Sequence, residues 1–406
     1  MAILVPALAL APLTTAAAAP DDGDTDAGAV RSTVGGELLG RTETQVLAGG
    51  DTPALPADLT AKSWIVADAE TGDVLAAHDA HRPLAPASTL KMLFADTVMP
   101  SFDRDDLYRA RPEHFAGMGE GSSAVGIADY QTYTVEDLWH GALLASGNDA
   151  VYALTAMNGG KAGTVEQMNA RAHELQAGDT HVVNPDGYDA EGQTSSAYDL
   201  TLIARDALQM DDFREYVALP TADFPGAGEG EDRETYQIQN TDRLLVGAPG
   251  LEPYEGLAGV KNGYTSAAGH TFTGVAERGG RVLLVTVMDP EGDALAVYRE
   301  SAALLDWGFA AAGSVDPVGE LVPPLSELPD DPAPDDGAGQ DATAGDGSDA
   351  ALAGAAADDG APVSGITVLM VTAAGLAVLA GAAYLFHRTH PLGARPGRRR
   401  TDGPPE

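Results

Sequence analysis

The chain is 406 residues with 61 Asp and Glu against 23 Lys and Arg, a formal net charge of -38. That balance argues against nucleic acid as a partner, because phosphate backbones demand basic residues. The absence of cysteine excludes disulfides, thiol nucleophiles and thiolate metal sites, while 44% apolar and 21% charged residues are ordinary for a folded domain.

Ile3 to Leu13 is an apolar run, followed by Thr14, Thr15 and four alanines. This predicts a secretory signal over 1–20, although the usual basic n-region is missing. Residues 21–55 are rich in Asp, Gly, Thr and Ala and predict a mobile acidic leader. One domain is expected over 56–310. Ser63 to Ala69 reads as a strand, Glu70-Thr71-Gly72-Asp73 as a turn, and Val74 to His78 as the returning strand. Pro86 precedes a helical run from Ser88 to Met99, closed by Pro100. Thr134 with Asp137 three residues on announces a second helix through a capping box. A third begins at Ser195 or Ser196, with Asp199 in its first turn. His270 to Glu277 and Arg281 to Met288 flank Gly279-Gly280, the pattern of a hairpin. Ser301 to Phe309 predicts a closing helix. Strands at both ends with helices between them predict an α+β domain, an antiparallel sheet packed by helices.

Residues 311–361 are predicted to be a solvated linker, with ten acidic and no basic residues between 325 and 361. From Ala361 to Phe386 nothing is charged. As a helix, the 21 residues from Ile366 would span ~31 Å, so a membrane span over 362–386 is expected. The tail 387–406 carries Arg388, Arg395, Arg398, Arg399 and Arg400. That places the tail in the cytoplasm and the domain outside, with the membrane as a partner.

Three short motifs carry chemistry. Ser88-Thr89-Leu90-Lys91 stands at a helix start, where residues i and i+3 share a face and a hydroxyl can meet an amine. A buried Lys91 beside another cation would tend to be neutral and could act as a base. Ser146-Gly147-Asn148 follows 58 residues later and offers a hydroxyl and a carboxamide from a tight turn. Lys261-Asn262-Gly263-Tyr264-Thr265 begins 115 residues further, just before the hairpin. A lysine and a glycine on an edge strand leave room for a peptide backbone to pair. No H-E-x-x-H occurs among nine scattered histidines, which argues against a metallopeptidase; no metal or cofactor is expected.

Order and spacing resemble the S-x-x-K, S-x-N, K-T-G set of active-site-serine penicillin-recognising enzymes. The chain is most similar to the serine D-alanyl-D-alanine carboxypeptidases, the low-molecular-mass penicillin-binding proteins, over about 56–310. Further matching runs are Met168 to Ala172, Asp179-Thr180-His181, Asn184-Pro185-Asp186-Gly187 and Ser196 to Leu200. The resemblance implies a β-lactamase/transpeptidase-like fold with helices on both faces of the sheet. It implies Ser88 as nucleophile, Lys91 as its base and Ser146 as proton relay. Asn148 would hold the substrate amide and Lys261 the terminal carboxylate, as well as keeping Lys91 neutral. The N–H groups of Ser88 and Tyr264 would stabilise the oxyanion, and Gly263 and Thr265 complete the substrate strand. The implied partners are peptidoglycan stem peptides ending in D-Ala-D-Ala, with β-lactams as covalent inhibitors. Asn262 departs from the family's usual Thr and would offer the carboxylate an N–H donor in place of a hydroxyl. A non-catalytic peptidoglycan-binding module and a β-lactamase are the alternative readings.

Overall fold

The computed structural model describes residues 31–328, apart from position 229. A six-stranded sheet lies at its centre: β1 (Ser63–Asp68), β2 (Asp73–His78), β3 (Leu257–Thr265), β4 (Gly269–Arg278), β5 (Arg281–Met288) and β6 (Gly319–Glu320). Their spatial order is β6-β2-β1-β5-β4-β3, and every pair is antiparallel. β3 is therefore an edge strand, paired on one side only by β4.

Side chains alternate across a strand, and here both faces are covered. Trp64, Val66, Leu75, Leu283, Val285 and Val287 pack with Leu304, Leu305 and Trp307 of the closing helix α8 (Ala296–Ala311). Gly308 lets α8 sit close, since a Cβ there would come within 2.9 Å of Leu283 and Val66. Ile65, Ala67 and Leu284 point the other way, into a larger core. That core includes α1 (Lys91–Val98) and the helices α2 (Val135–Leu143), α3 (Asn148–Met157), α4 (Lys161–Glu174) and α5 (Ala197–Ala207); the short helices α6 (Asp211–Val217) and α7 (Arg243–Val246) follow in the chain. Each fully buried Leu, Ile or Phe in these layers contributes ~1.5–3 kcal/mol over exposure. On this second face Thr201, Thr273 and Thr286 bond hydroxyl to hydroxyl at 2.8 and 3.0 Å, so the polar groups are satisfied.

Local signals from the sequence hold in detail. Thr134 and Asp137 form a reciprocal capping box on α2. The Ser196 side chain caps α5 by accepting from the Asp199 N–H. The glycine-turn hairpin is β4–β5, and α8 extends further at both ends than the Ser301 to Phe309 run.

Two boundaries differ from expectation. Residues 31–55 were expected to be mobile, yet Leu39 is buried in the core and Arg31 is buried in a bidentate pair with Asp79. Leu47–Ala48 also pairs with Val315–Asp316. A few anchors fix a segment whose average composition looks unfoldable. Likewise Val318 and Leu321, inside the expected linker, are 3% exposed, and β6 adds to the sheet edge. Among the described residues no helix is long and apolar enough to cross a membrane. The signal at 1–20, the rest of the linker from 329, the span at 362–386 and the basic tail all lie outside the described residues.

Candidate active site

Ser88 lies in a 3₁₀ turn, Ala87–Leu90, that runs directly into α1 at Lys91. In a 3₁₀ turn side chains three apart eclipse one another. Lys91 Nζ accordingly stands 2.8 Å from Ser88 Oγ. The same nitrogen donates to Asn148 Oδ1 at 2.7 Å and to the Asp186 carbonyl at 2.8 Å. A neutral amine has two hydrogens and one lone pair. The two fixed acceptors take the hydrogens, which leaves the lone pair for the Ser88 hydroxyl, the one partner able to donate.

Electrostatics shift the balance toward that neutral form. Lys91 is completely buried. Burial pulls its ammonium down to about 8, against the raising influence of the Asp186 and Asp149 carboxylates. Lys261, also buried, is depressed well below the usual lysine range, first by burial and then by the Lys91 charge; Asp242 opposes this. The main lever on Lys91 is thus burial rather than Lys261.

Glycines permit the close packing around the nucleophile. A Cβ on Gly187, whose φ is +83°, would stand 2.0 Å from the Ala87 carbonyl oxygen. A Cβ on Gly263 would stand 2.8 Å from the Ser88 nitrogen. Thr271 on β4 bonds the Pro86 carbonyl at 3.0 Å, fixing the turn to the sheet. Ala87 and Ser146 both hold positive φ, +50° and +57°. Such strain costs ~1–3 kcal/mol each and clusters at functional sites.

Ser146 and Asn148 lie in the turn between α2 and α3. Ser146 is mostly buried. Asn148 Nδ2 donates to Ser122 Oγ at 3.0 Å, and its amide oxygen faces Lys91. Asp149 holds the adjacent loop by accepting from the backbone N–H groups of Val125, Gly126 and Ile127.

Register separates the residues of β3. Lys261 pairs with Thr273 and Gly263 with Thr271, on the Ser88 face. Asn262 pairs with Phe272, whose ring packs on Tyr298 of α8. Asn262 is half-buried at the strand edge, and its Oδ1 lies 3.4 Å from Lys261 Nζ. Its Oδ1 accepts from Thr241 at 2.8 Å. The Asn262 amide thus links β3 to Thr241 beside the site lysine. Tyr264 pairs with His270 on the same side; their rings lie 4.5 Å apart and Tyr264 is 63% exposed. The Thr265 hydroxyl accepts from the Ala268 N–H in the turn beyond.

Sequence reasoning assigned no role to Asp149, Asp186, Thr241 or Thr271. The run Asn184 to Gly187 carried a usable signal, a turn whose glycine requires left-handed backbone. One other group, His81, Asp179 and Asp199, brings potential metal ligands within 4.8 Å of one another. His81 Nδ1 is 2.6 Å from Asp179, its Nε2 is 3.0 Å from the Val34 carbonyl, and Asp199 accepts from Asp179 N and Thr180. These contacts join residue 34 to the start of α5. Burial, and next the Asp179 charge, raise Asp199 to about 7.

The sequence pattern of the D-alanyl-D-alanine carboxypeptidase family matches residues 50–292. The D-alanyl-D-alanine carboxypeptidase DacB2 of Mycobacterium tuberculosis is 38% identical over 273 residues, covering 66% of this chain and 88% of that protein. DacF of Bacillus subtilis, a D-alanyl-D-alanine carboxypeptidase, is 32% identical over 54% of each chain, so this match spans about half the relative's length. A crystal structure of a D-alanyl-D-alanine carboxypeptidase from Mycobacterium tuberculosis superposes with a TM-score of 0.60. It is 36% identical and covers 68% of this chain and 99% of that one. The Streptomyces K15 DD-transpeptidase aligns with a TM-score of 0.59 at 25% identity, covering 64% of this chain and all of its own. Shared sequence over most of the described domain, on the same α+β scaffold, gives the Ser88–Lys91 turn its context: this chain belongs to the D-alanyl-D-alanine carboxypeptidase family and is a serine-type carboxypeptidase.

Proposed function

We propose that Ser88 attacks the carbonyl between the last two residues of a stem peptide ending in D-Ala-D-Ala. The single observation that carries this reading is the 2.8 Å contact between Ser88 Oγ and a buried, depressed Lys91. Lys91 takes the hydroxyl proton as the C–O bond forms. The N–H groups of Ser88 and Tyr264 stabilise the oxyanion, each worth ~3 kcal/mol of barrier. Ser146 relays a proton to the departing D-alanine nitrogen. Water then attacks the acyl-enzyme, Lys91 again serving as base, and the proton returns to Ser88. Lys261 holds the terminal carboxylate and Asn148 the substrate amide. The edge of β3 leaves backbone groups free to pair with the peptide.

The same steps predict covalent capture of penicillin, whose ring carbonyl acylates Ser88. We further propose that the domain is exported by the 1–20 segment and held at the membrane by residues 362–386, with the basic tail in the cytoplasm. A fluorescent penicillin incubated with the folded protein should give a labelled band in wild type and none in Ser88→Ala. A folded wild type that takes no label but retains cell-wall binding would favour a binding module instead.

A further inference from the structure

A cavity of about 330 Å³ lies beyond the end of β3, lined by Ala85, Asp189, Ala190, Glu191, Gln193 and Ala267. Resting on the carboxypeptidase reading above, we propose that this cavity takes a side-chain ammonium on the substrate residue immediately before D-Ala-D-Ala. Asp189 and Glu191 would then select a stem peptide whose diamino acid is unmodified at that amine.

Direction along the strand gives the first argument. The terminal carboxylate is assigned to Lys261 and the acyl carbonyl to the Ser88 and Tyr264 N–H groups. The peptide therefore runs from its C-terminus toward its N-terminus in the sense 261 to 264, antiparallel to β3. Continuing that way leads past Thr265 to Ala267, which lines the cavity. β3 ends at Thr265 and Ala267 lies in the turn to β4, so the cavity stands just past the strand's end. One further strand step of the substrate plus a four-carbon side chain reaches past that end.

The lining gives the second argument. It holds two carboxylates and no basic residue. Asp189 Oδ2 accepts from the Ala267 N–H at 3.2 Å, tying the cavity wall to the turn after β3. Asp189 Oδ1 is buried and has no hydrogen-bond partner among the described residues. A buried carboxylate oxygen without a donor costs free energy that an incoming ammonium would recover. Glu191 is exposed at the same opening. Ala85, Ala190 and Ala267 keep the space clear, and Gln193 fixes the loop through the Val183 and Asn184 N–H groups and the Tyr188 carbonyl.

The test compares D-alanine release from Nα-acetyl-L-Lys-D-Ala-D-Ala and its Nε-acetylated counterpart, which differ only in that amine. Wild type should favour the free amine by about tenfold in kcat/KM, chiefly through KM. In Asp189→Asn and in Glu191→Gln the ratio should fall toward one, and in wild type it should shrink as salt is raised. A ratio of one in wild type, or a ratio unchanged in both variants, would overturn the subsite while leaving the carboxypeptidase reading intact. Release from neither peptide by folded wild type would overturn both.

Discussion

Asn148 grips Lys91 at 2.7 Å with its side-chain carbonyl while donating to Ser122 with its amide nitrogen. One residue thus orients the base and borders the groove. The second motif is in this way mechanically part of the first, and the three short motifs act as one site.

A pH dependence follows from Lys91. Burial sets its pKa at about 8, and only the neutral amine can accept the Ser88 proton. The rate constant for penicillin acylation should therefore rise about tenfold per unit below pH 8 and level off above it. A rate that falls between pH 6 and 8 would remove Lys91 from the role of base.

Gly187→Ala should damage the site without unfolding the domain. The new methyl would meet the Ala87 carbonyl oxygen at 2.0 Å, at a φ that alanine disfavours. Displacing the nucleophile by about 1 Å costs ~100-fold. D-alanine release should fall by about that factor while circular dichroism stays native. Activity within twofold of wild type would show that the Ala87–Leu90 turn tolerates movement.

Asp149→Ala should lower stability as well as activity. Three loop N–H groups lose a charged acceptor. The cost should be about 2–4 kcal/mol, read as a lower urea midpoint. Acylation should slow too, since the same loop carries Ser122. A variant as stable as wild type would mean that water replaces the carboxylate freely.

Asn262→Thr should change acylation by less than about threefold. The Asn262 Oδ1 lies between Thr241 and Lys261, and a threonine hydroxyl can still meet Thr241 for ~1 kcal/mol. A hundredfold change would instead place position 262 in contact with substrate.

Much of this was legible from sequence because it is local. The capping box at Thr134, the Ser196 cap and the glycine hairpin each depend on a few neighbouring residues. Alternation along β3 put Lys261 and Gly263 on the nucleophile's face, but it did not show that the Asn262 amide would also lie beside Lys261 Nζ. The anchoring of residues 31–55 was not legible, because Arg31 finds Asp79 and Leu39 finds the core only after the chain folds. The contributions of Asp186 and Gly187 were hidden for the same reason: each acts through backbone placed against a turn about 100 residues away.

D-alanine release by the purified protein, compared between wild type and Ser88→Ala on a peptide ending in L-Lys-D-Ala-D-Ala, tests the account most directly. Release by wild type and none by Ser88→Ala is the predicted result. Release that persists in Ser88→Ala would contradict the assignment of Ser88 as nucleophile.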